Sequence, residues 1–101
     1  MSDLENKQGN QVIVTEIEKV RFVIKDATGL DIMYAYENLV FAEHGLFLLE
    51  VDSVDNKKLH CHFNVEFDKK KRLTFLESLM RTASLNKMVV VNSTPFEMKQ
   101  N

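Results

Sequence analysis

Residues 59–67 read Leu59-His60-Cys61-His62-Phe63-Asn64-Val65-Glu66-Phe67. Hydrophobic side chains hold every odd position and polar ones every even position. A period of two belongs to a strand with one buried face and one wet face. The stretch therefore predicts a half-buried strand, with Leu59, Cys61, Phe63, Val65 and Phe67 turned to a core. His60, His62, Asn64 and Glu66 turn away from it.

Toward the N-terminus, Asp55-Asn56-Lys57 is a turn signal, because Asp and Asn tolerate left-handed backbone. It predicts an antiparallel partner strand over 46–52. That strand opens with four apolar residues in succession, Leu46-Phe47-Leu48-Leu49, so something must cover its second face. With Val54 opposite Lys58, Val51 faces Cys61, Leu49 faces Phe63 and Phe47 faces Val65. A slip of one residue would set this apolar series against the polar one, so side-chain parity argues against it. In the same register Glu50 stands opposite His62, and Asp52 opposite His60.

A further strand is predicted over 38–43, returning through His44-Gly45. Glycine suits the second position of such a tight turn; histidine is less usual at the first. Folding back there adds Val40 and Ala42 to the core face. Leu39 and Phe41 join Leu46 and Leu48 on the opposite face. That face is then apolar near His44 and polar near Glu50, Asp52, His60 and His62.

Helices flank this meander. Thr15-Glu16-Ile17-Glu18 is a capping-box pattern, followed by Ile17, Val20, Ile24 and Ala27 near helical spacing, with Val23 widening the stripe. Gly29 suits the position after a helix end, so the first helix is predicted over 16–28. The second begins after Asp68 as N-cap, with a stripe of Leu73, Leu76, Met80 and Ala83 and with Phe75 and Leu79 beside it. The spacing of Thr74 and Glu77 also allows a later start. Asn86 ends that helix, and a short strand is predicted over 87–92. The stretch Leu30-Asp31-Ile32-Met33-Tyr34-Ala35-Tyr36 is too short for periodicity to arbitrate between extended chain, strand and helix.

The expected fold class is α+β. A mainly antiparallel sheet of about four strands packs two helices on one face, in the order α-β-β-β-α-β. The chain has 101 residues and is 45% hydrophobic, enough for one core and hardly two. The reading is one domain over 12–92, between a flexible N-terminal segment, 1–11, and a flexible tail, 93–101. Similar element orders occur in secretion chaperones and small regulatory domains, but no motif here carries an assignment to either.

The net charge of −2 and pI near 5.9 argue against a nucleic-acid partner, whose footprint is usually strongly basic. No apolar run approaches the roughly 20 residues of a membrane span. The N-terminus lacks the pattern of a secretory signal, and a single cysteine cannot form an internal disulfide. The expected location is cytoplasmic.

The leading functional reading is a non-enzymatic interaction or regulatory domain that uses the apolar part of its sheet. Its candidate interface is Leu39, Phe41, Leu46 and Leu48, with Tyr34 and Tyr36 at the edge. Three covers for that patch are open: residues 30–36 folding back over it, a second copy of the chain, or another protein, peptide or apolar ligand. The expected partner is therefore the chain itself or another protein. A second reading is a metal-dependent enzyme or sensor, since His60 and His62 project from one strand face beside Glu50 and Asp52. A third is anion or nucleic-acid binding by Lys69, Lys70, Lys71 and Arg72 at a helix start. No cofactor is implied and no catalytic residue is assigned. Ser53, Asp52 and His60 have the residue types of a triad without its sequence context. Cys61, on the core face, reads as a small buried hydrophobe.

Overall fold

The computed structural model describes residues 16–98. Among the described residues helix α1 occupies 16–28, and α2 spans Lys69–Leu85. The strands are β1 (Ile32–Tyr36), β2 (Leu39–Ala42), β3 (Phe47–Val51), β4 (Lys58–Phe63) and β5 (Val89–Asn92). They form one sheet in the order β1-β2-β3-β4-β5. The first three pairings are antiparallel and β4–β5 is parallel. A parallel neighbour requires a long crossover, which α2 supplies. This is the expected α+β class, with both helices against one sheet face. The undecided segment becomes β1, an edge strand, so the sheet has five strands.

Helix α1 ends where predicted, at residue 28. Val20, Val23 and Ile24 are fully buried. Gly29 adopts φ 79° and donates its N–H to the Lys25 carbonyl at 2.8 Å, closing the last turn where a Cβ would be strained. Thr15, the first half of the capping box, lies outside the described residues, as do residues 1–11. The core joins α1 to Val40, Phe47, Leu49, Leu59, Cys61 and Val90 of the sheet and to Leu79 and Ala83 of α2. Each large aliphatic or aromatic side chain so buried contributes roughly 1.5–3 kcal/mol.

Helix α2 starts as expected, with the Asp68 carboxylate accepting the Lys70 N–H at 3.1 Å. Its inward stripe differs from the expected one. Leu79, Thr82 and Ala83 are buried, while Leu73 and Met80 are exposed. Phe75 takes an inward place instead, meeting Phe47 and Phe67 edge to face at 6.2 and 5.1 Å between ring centres.

Strand β4 is shorter than its alternation suggests. The Arg72 guanidinium donates to the carbonyls of Val65 and Phe67 at 2.7 and 2.9 Å. These bonds tie 65–67 into a turn at the helix start. Val65 is consequently exposed, while Phe67 still packs on the core.

The β2–β3 register is the one expected from a return at His44-Gly45, with Val40 opposite Leu49 and Phe41 opposite Leu48. Both turn residues are left-handed, at φ 64° and 63°. The β3–β4 register is two residues away from the expected one: Val51 faces Leu59, Leu49 faces Cys61 and Phe47 faces Phe63. The cause is Asp52, whose Oδ2 accepts the N–H groups of Val54 and Asp55. This bends the chain early and leaves Val54 in the loop. A two-residue shift preserves parity, so the core face is unchanged.

Candidate functional site on the outer sheet face

Both described helices lie on the core face, so the opposite face of the sheet is where unassigned chemistry collects. Register aligns its side chains in two rows across the strands. One row is Tyr34, Phe41, Leu48 and His62. The other is Tyr36, Leu39, Glu50, His60 and Val91. The face is apolar on the β1–β2 side and polar on the β3–β4 side.

On the apolar side, Tyr34 stacks on Phe41 with ring centres 4.5 Å apart and planes 15° from parallel. Such a pair contributes about 0.5–1.5 kcal/mol beyond its burial. Tyr34 is 46% exposed and Tyr36 62% exposed, whereas Leu48 is only 6% exposed. Residues 30–36 do not fold back over the patch, because as β1 they extend the sheet and widen the face instead. Leu46 departs from the candidate interface. Its backbone turns to φ −70°, ψ −36° after the 43–45 turn, and the side chain packs against the core.

The segment 93–98, expected as a tail, also meets the outer face. After β5, the Phe96 N–H donates to the Phe63 carbonyl, and the Phe96 carbonyl accepts the Val65 N–H, both at 2.9 Å. The Phe96 ring reaches across the face to meet Phe41 edge-on at 6.3 Å. Leu48 stands between Phe41 and His62 in the row, the two side chains of this face that the segment contacts. An isolated aromatic after Pro95 was the only sequence signal for this contact.

The polar side holds two histidine–carboxylate pairs. His60 Nε2 lies 2.8 Å from Asp52 Oδ1, and His62 Nε2 lies 2.9 Å from Glu50 Oε1. These are the pairs that the expected register placed directly opposite. In the observed register they meet diagonally, within the reach of long cross-strand side chains. His60 and the amides of Asp55 and Val54 hold the Asp52 carboxyl far below the usual carboxylate range, since each favours its ionised form. His62 also places Nδ1 2.7 Å from the Thr94 carbonyl. Both of its partners are acceptors, so the ring makes both bonds only when both nitrogens carry hydrogen.

The four candidate metal ligands thus form two separate pairs. Among the described residues, no group of three or more His, Cys, Asp and Glu side chains converges as a metal site would require. Cys61 is fully buried on the other face, and desolvation pushes its thiol up to about 12, away from the reactive thiolate. Of the basic run, Lys69, Lys70 and Lys71 are exposed at the start of α2. Arg72 is engaged by the 65–67 turn; with Lys69 it edges a groove that also includes Phe63, Leu73, Leu76 and Pro95. No described helix is long and apolar enough to cross a membrane.

Comparison with protein-family models, with curated proteins and with solved structures finds no match.

Proposed function

We propose that this chain is a non-enzymatic interaction domain that associates with a second copy of itself through the outer face of its sheet. The observation that supports this is the exposed aromatic edge of that face. Tyr34 and Tyr36 stand out from β1 beside Leu39 and Phe41, and both described helices are committed to the other side. Tyrosines of this kind combine large apolar area with a polar tip and suit an interface core. Association excludes water from the apolar side. A two-fold axis near Tyr34 sets like against like there, and the His60–Asp52 and His62–Glu50 pairs then fall at the rim, where polar groups set register.

The test is solution mass by light scattering after size-exclusion chromatography, over a wide concentration range. The expected result is a species near twice the 11.7 kDa protomer that dissociates on dilution. The double substitution Tyr34→Glu/Tyr36→Glu should shift it to the protomer mass with an unchanged circular dichroism spectrum. A protomer mass at every concentration overturns the proposal.

A further inference from the structure

We propose that residues 93–98 form a strap that closes reversibly over the outer face and lifts while the sheet beneath it stays folded. Its role as a cover rests on the association proposed above; its lifting does not.

The strap has few attachments. Ser93 donates its N–H to the Cys61 carbonyl at 2.8 Å. Pro95 has no N–H to offer, and ladder-like contact resumes only with the two backbone bonds of Phe96. Between these points His62 acts as a latch. Its Nδ1 meets the Thr94 carbonyl, while Glu50 of β3 holds its Nε2. Beyond Phe96, the Met98 sulfur comes within 2.8 Å of where a Gly45 Cβ would stand. Thr94, Pro95, Glu97 and Met98 are exposed. A segment with few bonds and many exposed residues opens at lower free energy than a central ladder. The β3–β4 pairing beneath it is continuous over five residue pairs.

What the strap hides gives the opening a consequence. Phe96 sets its ring against Phe41 and Thr94 meets His62, the two neighbours of Leu48 in its row. With the strap closed, the open apolar surface is Tyr34, Tyr36 and the margins of Leu39 and Phe41. With it lifted, that surface extends across Leu48 toward β4. The strap and a second copy therefore compete for the same row of side chains.

Native-state amide hydrogen exchange, followed by NMR on the full chain, tests the lifting. The Phe96 and Val65 amides should exchange faster than hydrogen-bonded amides at the centre of β3 and β4. His62→Ala and Phe96→Ala should each accelerate the strap amides and leave the central ones unchanged; if one variant unfolds, the central amides report it and the other carries the test. Equal protection of strap and central amides, insensitive to both substitutions, would overturn the proposal. The full-length Phe96→Ala chain then tests the cover: its self-association midpoint should shift to lower concentration. If the strap lifts but this midpoint does not move, the role as a cover is overturned. If neither chain associates at any concentration, the association reading fails, and the exchange data decide the lifting by themselves.

Discussion

Asp52 connects the loop to the polar side of the outer face. One carboxylate oxygen stops β3 by capping the loop amides, and the other holds His60. Its folded-state pKa is depressed, so the stability it contributes is present above the ordinary carboxylate value and is lost as pH falls through that value toward the folded one. Urea midpoints should therefore fall as pH is lowered below about 4. Asp52→Asn should lower the midpoint at pH 7 and flatten this acid dependence; a variant with an unchanged acid limb would show that Asp52 does not carry it. The residue types of the polar cluster were legible in the sequence, and so was the pairing of His60 with Asp52 and His62 with Glu50. Their diagonal geometry was not, because it follows from a loop that Asp52 itself shortens the strand to make.

Among the elements, the turn from β2 to β3 shows how one glycine serves two contacts. Gly45 sits at φ 63°, and Met98 of the strap rests where a side chain would begin. Gly45→Ala should destabilise the fold by about 1–2 kcal/mol from the left-handed backbone alone, as read by chemical denaturation, and should also loosen the strap by displacing Met98. The end of helix α1 could be read to the residue, because Gly29 closes it. The inward stripe of α2 could not, because apolar residues occupy more than one of its faces and local periodicity does not rank them. The rings of Phe47 and Phe67, brought from distant positions, select Phe75 over Leu73.

At the level of the whole molecule, the outer face combines residues that fold the chain with residues available for contact. Leu48 is buried within the sheet, so Leu48→Asp buries a charge without a partner. It should cost about 3 kcal/mol or more and abolish the cooperative thermal transition seen by circular dichroism. Tyr36→Glu, at the open edge, should leave that transition nearly unchanged. Retention of the Leu48→Asp fold would instead place Leu48 outside the structural core.

The sequence by itself determined the class of the molecule. Alternation over 59–67, the parity of its neighbours, two helical segments and their order specify an α+β sheet with one fully apolar face. These features are local, and local periodicity encodes which side of an element is buried. Only the tertiary structure decided the β3–β4 register, the rotation of α2, the place of β1 at the edge and the contacts over the outer face. The register follows from the local Asp52 turn, which no periodicity signals, while the rotation of α2 and the contacts over the outer face depend on groups far apart in the chain: Phe47 on Phe75, His62 on Thr94 and Phe96 on Phe41. A contact between distant residues leaves no periodicity behind, so the second face of the sheet could be recognised in the sequence as needing a cover without revealing what covers it.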